Sequence, residues 1–379
     1  MNTAMLMIGA MTVTAAVPGL EYVAPLQHGR VYSMESAVLG ATTRVTIGLP
    51  GSYCTSDMRY PLLLVLDGDL YFDMAYSAVS ALSGCGGMPE VIVVGLETDD
   101  PVGYYTPTNA PVPDGTPMPS SGMGPLYLDH IERELIPAMA DSFRTEPCEI
   151  LFGHSMAGLF TVYSMLQGRE TIDFFVASSP SLWWDDELLT GMIPGWEHRE
   201  EAGRTRIYLS MGNEGETMLP PALRFADALS ARPDVDCFFE QFPRTCHQFA
   251  PFKAFAGGIE FIFSPWRIDA PLEELRLEDI EGHYRSLSEM FGYEITIPES
   301  LLNSLGYAAM RRGDMAQALE AFRTNMALHP GSSNVYDSLG ECLLQTGDTT
   351  GARENYGRSL ELNPGNSNAA AILEALERE

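Results

Sequence analysis

Lysine is nearly absent from this sequence: Lys253 is the only one in 379 residues. Lysine and arginine total 22 against 51 acids, for a net charge of −29. Nucleic acid and anionic membrane surfaces would repel such a chain, which excludes both as partners. The acid surplus reads as solubility or adaptation to a salty medium, and a cationic substrate is the narrower reading. Long apolar runs are missing too. No segment reaches the roughly 18 continuous apolar residues of a membrane span. Six cysteines are present, but none are spaced CxxC, so a zinc ribbon or thioredoxin-type motif is unsupported. Cys237 and Cys246 bracket an apparent strand that would hold them about 30 Å apart, too far for a disulfide.

The N-terminus lacks cations as well. Residues 1–19 are apolar and end in small residues, with the first positive charge at Arg30. The pattern matches the apolar region of an export signal with a cut near Ala16, without its basic start. Segment 1–20 is therefore expected to be an export signal, giving a bacterial periplasmic or extracellular protein. An apolar segment packed on a cytoplasmic protein is the alternative.

The chain is too long for one ordinary core. From 28 to 265 it alternates strands and helices. RVYSMESAVLG and TTRVTIGLP read as an antiparallel opening pair. PLLLVLDG, EVIVVGLE and CEILFG are short apolar runs, as expected of strands buried on both faces. DFFVASSP, TRIYLSMG and VDCFFEQFP follow as further strands. The expected fold class is α/β: a mostly parallel sheet with helices on both faces. Residues 266–300 look like a helical linker.

Residues 301–379 read differently. Leu305 and Leu339, Gly306 and Gly340, Gly313 and Gly347, Asp314 and Asp348, Ala318 and Ala352, Phe322 and Tyr356, and Pro330 and Pro364 are each 34 apart. This period resembles the tetratricopeptide repeat. Small residues let paired helices approach, Gly-Asp turns the chain, and proline ends the second helix. Two such repeats and a capping helix are expected, offering a surface for a peptide or protein partner or for self-association.

Function is carried by LFGHSMAGLF, residues 151–160. A catalytic serine is best exposed on a sharp turn between a strand and a helix, flanked by small residues so that the two can approach. Ser155 sits in G-x-S-x-A, with Gly158 following, after the run CEILF and before an amphipathic helix. Ser155 is the expected nucleophile. In this chain order an acid and then a histidine should follow. His247 comes after the strand VDCFFEQFP and is the expected base. His198, His283 and His329 fall in a charged segment, the helical linker and a repeat helix end. His154 reads as a structural hydrogen-bonder. Glu214, after TRIYLSMG, is the expected acid, with Glu216 and Asp185 as alternatives. The oxyanion would meet the backbone N–H groups of Met156 and Asp69. Asp67 reads as a turn former. Trp183, Trp184 and Tyr105 are candidate walls of an acyl or aryl pocket. No metal or organic cofactor is implied.

LLLVLDGDLYF, YYTPT, YLDHIERELIPAM, GHSMAGLF, ASSPSLWWDD, SMGNEGE and the His247 loop occur in the order seen in the esterase D-like branch of the α/β-hydrolases. That branch includes siderophore esterases, feruloyl esterases, S-formylglutathione hydrolases and mycolyltransferases. The resemblance covers about 28–265. It implies an α/β-hydrolase fold, a Ser155–His247–acid triad and a small-molecule ester substrate. Two features depart from it. Ala157 stands where relatives usually carry glycine, and DDPVGYYTPT lacks the arginine that siderophore-esterase types often place before its TP. The expected reaction is ester hydrolysis through an acyl-enzyme. An acyltransferase with the same triad and a non-catalytic adaptor acting through its repeats are the alternatives.

Overall fold

The computed structural model describes residues 27–168, 171–197 and 205–378. The segment expected to be an export signal, and His198, lie outside these residues. The strands are β1 (Arg30–Ser36), β2 (Ala41–Gly48), β3 (Tyr60–Leu66), β4 (Ile92–Glu97), β5 (Thr145–His154), β6 (Phe174–Ser178), β7 (Thr205–Met211) and β8 (Val235–Gln241). They form one eight-stranded sheet in the order β1-β2-β4-β3-β5-β6-β7-β8. β1 runs antiparallel to β2 and β2 antiparallel to β4. From β4 to β8 every pairing is parallel. This is the expected α/β architecture, with β3 and β5 side by side near the centre.

The apolar strands alternate their burial between the two faces, as the two-residue period of a strand requires. Leu62, Leu64 and Leu66 enter one core, against Leu128, Ile131, Phe160 and Phe225 from the helices of that side. Leu63, Val65, Ile150 and Phe152 enter the other, against Phe72, Phe255 and Ile259. A run apolar at every position is what a strand covered twice needs.

The second face is also covered by the segment expected to be a linker. Helix Leu277–Phe291 buries Leu277, Ile280, Tyr284, Leu287 and Phe291, all within the same core as β3 and β5. Leu302, Leu305 and Ala321, from the helices that follow, join it. Within 266–300 the helix spans Leu277–Phe291, and its buried side packs into this core.

Two helical hairpins follow, Glu299–Arg312 with Met315–Leu328 and Ser333–Gln345 with Thr349–Leu362, then a last helix Ser367–Glu377. Positions 34 apart do the same work. Gly313 and Gly347 take φ of +79° and +86°, the left-handed turn that favours glycine. Asp314 and Asp348 cap the next helices by accepting from the N–H groups of Gln317 and Gly351. A Cβ on Gly306 would come within 2.5 Å of the Phe322 ring, so the paired helices close only over glycine there. Ala369 of the last helix joins this hairpin core, with Ile372 and Leu373 packed against it.

Candidate active site

β5 ends at His154, helix Met156–Leu166 begins at Met156, and Ser155 lies between them with φ +60° and ψ −116°. A non-glycine residue held there costs roughly 1–3 kcal/mol, and the surroundings must enforce it. Gly153 explains how the turn closes. A Cβ on it would lie 2.3 Å from the Ala157 carbonyl oxygen, so helix and strand meet only over glycine. Ala157, where the motif usually has glycine, is buried, and its carbonyl accepts from the Thr161 hydroxyl. The Ser155 N–H donates to Ser178 O at 2.9 Å, and its carbonyl accepts from Ser181 N–H at 3.1 Å. The serine is thereby fixed at the carboxyl edge of the sheet.

His247 Nε2 lies 3.0 Å from Ser155 Oγ. Its Nδ1 lies 3.1 Å from Glu214 Oε1. The same carboxylate oxygen accepts from the Ser179 hydroxyl and from Gly212 N–H, while Oε2 is buried without a hydrogen-bond partner among the described residues. Burial alone would raise the Glu214 pKa, but hydrogen bonds from His247, Ser179 and Gly212 outweigh it and hold the carboxyl below its ordinary value. It therefore stays charged beside the imidazole.

His154 does not join this relay. Its Nδ1 meets Ser178 O and Oγ, and its ring lies 4.4 Å from that of His247. Burial, then repulsion by His247, pushes its pKa down to about 4, which keeps it neutral. Asp67 adopts the left-handed conformation expected of a turn former, at φ +51° before helix Gly68–Gly84. Burial raises its pKa to about 6.

The oxyanion candidates lie at one edge of the sheet. Met156 opens the helix after the serine, where N–H groups lack intrahelical partners. Asp69 lies in the first turn of helix Gly68–Gly84, which follows β3, the parallel neighbour of β5.

Ser155, His247 and Glu214 open onto a cleft of about 480 Å³, walled by Met156, Trp183, Asn213, Met218, Cys246 and Gln248. Trp183 is held there by its indole N–H, which donates to Met218 Sδ at 2.9 Å. Two expected pocket residues are elsewhere. Trp184 is 1% exposed and donates its indole N–H to Thr108 Oγ1. Adjacent residues cannot face the same way, and the core takes the second tryptophan. Tyr105 is wholly buried, with its ring against Phe160 and its hydroxyl accepting from Asp67 N–H. The alternative acids are not placed at the imidazole either. Asp185 accepts from the Thr108 hydroxyl, and Glu216 is an exposed first-turn residue of helix Gly215–Ser230.

Sequence reading missed Ser179 and Met218. Ser179, at φ +44°, follows β6 and steadies Glu214. The serines of ASSPS at a strand end were the available signal. Met218 gave none, since it becomes a wall only when helix Gly215–Ser230 packs beside Trp183. Among the described residues, no group of three or more His, Cys, Asp or Glu side chains could hold a metal ion. Nor is any helix there long and apolar enough to cross a membrane.

Comparison with known proteins adds a lineage. The Esterase family, described as "putative esterase", matches residues 36–254. Ferri-bacillibactin esterase BesA of Bacillus subtilis (strain 168) is 28% identical over 146 residues, 34% of this chain and 50% of BesA. The chain thus matches half the length of that curated relative. The crystal structure of an IroE-like serine hydrolase from Shewanella oneidensis superposes with a TM-score of 0.68 at 26% identity, covering 79% of this chain and 99% of that one. A structure from Capnocytophaga ochracea DSM 7271 shares the fold at 17% identity and a TM-score of 0.70, covering 93% of this chain and 100% of its own.

Proposed function

The chain belongs to the Esterase family and is a serine hydrolase of carboxylic esters, and on that premise we propose that Ser155, His247 and Glu214 carry the reaction. Ser155 Oγ attacks the ester carbonyl while His247 Nε2 takes its proton. The oxyanion is met by the N–H groups of Met156 and Asp69. The C–O bond then breaks, and the proton on His247 passes to the departing alcohol, leaving an acyl-serine. Water, deprotonated by His247, then attacks the acyl carbon, the bond to Ser155 Oγ breaks, and His247 returns the proton to Oγ as the acid leaves. Glu214 holds the imidazole in the tautomer with hydrogen on Nδ1 and stabilises its cation. The observation that carries this reading is the relay from Ser155 Oγ to His247 at 3.0 Å and from His247 to Glu214 at 3.1 Å.

Trp183 and Met218 hold the acyl group against the cleft wall. Among the described residues the walls carry no lysine or arginine, and the YYTPT segment lacks an arginine before it. These features support an uncharged ester over an anionic one. The matched roles of Gly313 and Gly347 and of Asp314 and Asp348 support two tetratricopeptide-like repeats in 301–379, open to a protein partner or a second copy. The hydrolase unit then spans 28–265, with 266–300 joining it to the repeats, and residues 1–20 act as an export signal.

Hydrolysis of p-nitrophenyl esters from acetate to palmitate, with one aryl ester, tests the reading. Turnover by the wild type that disappears in Ser155→Ala, with fluorophosphonate labelling lost in the same variant, is expected. Turnover or labelling that survives in Ser155→Ala overturns the assignment.

A further inference from the structure

His247 faces Ser155 on one side. On another it begins a run of rings leading out of the site. The His154 ring is 4.4 Å away. Tyr71 meets His154 edge-on at 6.0 Å, and Phe252 meets Tyr71 edge-on at 6.4 Å. Phe249 stacks on Phe252 at 5.2 Å with the planes 18° apart. His154 and Tyr71 are buried, but Phe249 and Phe252 are 53% and 43% exposed. Leu70, next to Tyr71 in the first turn of its helix, is 66% exposed.

None of the three outer residues lines the cleft that holds Trp183. Nor does the fold call for them. Phe252 is an exposed position of helix Ala250–Ile262, whose inward side is filled by Pro251, Ala254 and Phe255. Two stacked, part-exposed rings two and five residues after His247, and an exposed leucine next to Tyr71 and Asp69, present apolar surface to water.

The chemistry names the occupant. The departing alcohol takes its proton from His247, so its oxygen lies within hydrogen-bond reach of that ring. The rest of the alcohol extends away from the acyl carbon and past the histidine. Phe249 follows His247 by two residues. We propose that Phe249 and Phe252, with Leu70, form a subsite for the alcohol part of the ester, and that this part is aryl or bulky and apolar. Flat rings offer large contact at low entropic cost, and stacking suits an aromatic alcohol best. The inference rests on the Ser155–His247 reading and adds the identity of the leaving group.

The test holds the acyl group constant and varies the alcohol. Ethyl, benzyl and 2-naphthylmethyl acetates are compared in wild type and in Phe249→Ala/Phe252→Ala. The wild type is expected to favour the aryl alcohols, and the double variant to lose roughly tenfold in kcat/KM on them, with less than a twofold change on ethyl acetate. An equal loss on all three esters overturns the subsite, because the rings then act only by supporting His247. An absence of aryl preference in the wild type overturns it as well. Equilibrium binding of 2-naphthylmethanol to Ser155→Ala, with and without the two Phe→Ala changes, needs no turnover. Weaker binding without the rings supports the subsite even if the triad assignment fails, and unchanged binding removes it. If the rings govern only co-sedimentation with phosphatidylcholine vesicles or the sedimentation coefficient, a lipid surface or a second copy is the occupant and the proposal falls.

Discussion

Glu214→Gln isolates a charge from a shape. Among the described residues the donors to this side chain, His247, Ser179 and Gly212, reach Oε1, and Oε2 has no partner. Glutamine can therefore keep its oxygen toward the donors and put its amide nitrogen where nothing is lost. What disappears is the negative charge beside the imidazolium that forms during reaction. Unit charges about 4 Å apart interact by about 4 kcal/mol at an effective dielectric of roughly 20. His247 is 32% exposed at its side chain, so water screens part of this. A barrier increase of about 2–4 kcal/mol follows, a fall of roughly 30- to 1,000-fold in kcat/KM. The assay is p-nitrophenyl acetate hydrolysis at pH 8, with Glu216→Gln and Asp185→Asn as controls expected to stay within threefold of wild type. If Glu214→Gln stays within fivefold while either control collapses, the acid has been assigned to the wrong residue.

Other perturbations follow from burial. Glu149 is buried on β5, and desolvation, aided by Asp173, pushes its pKa up to about 8. The native state then keeps a proton that the unfolded chain gives up, so this contribution is present below about pH 4.5 and fades as pH rises through 8. Glu149→Gln should gain up to about 4 kcal/mol over wild type at pH 9 and almost nothing at pH 4.5, read from urea unfolding. His154 behaves in the opposite sense, because its depressed pKa of about 4 makes wild type lose about 2–3 kcal/mol between pH 7 and 4.5. His154→Gln should lack that loss in the same titration. A chain ending at residue 266 should lose stability against urea, since Phe174 of β6 and Phe263 then lose the Phe291 ring they pack on. A chain ending at 331 should keep esterase activity within twofold, and loss of activity there would tie the second hairpin to the site.

The legible parts of this protein are those whose local pattern already determines the outcome. β3 is apolar at every position because it is buried on both sides, and the pattern says so directly. The meeting of Ser155, His247 and Glu214 could be anticipated because each follows a parallel strand at its carboxyl end. Trp183 and Trp184 could not be told apart, because their neighbours come from distant segments: Met218 for the first and Thr108 for the second. Tyr105 looked like a pocket residue for the same reason, although Phe160 and Asp67 claim it. Helix Leu277–Phe291 showed its period, but an apolar stripe does not say which surface it will cover. Ser179 was hidden because its role depends on Glu214, a residue 35 positions later.

The shared core has a consequence for biosynthesis. A chain emerges from the ribosome N-terminus first, and its domains generally fold as units. Here the strands and the Ser155 turn are complete by residue 241, yet Leu277, Ile280, Tyr284, Leu287, Phe291, Leu302 and Leu305 have still to join the core. Until they do, Phe174 at the start of β6 and Phe263 lack the Phe291 ring that packs on both. The C-terminal helices thus time the birth of the enzyme: activity on a stalled nascent chain should stay absent until these residues have cleared the exit tunnel, and chaperone occupancy should peak just before.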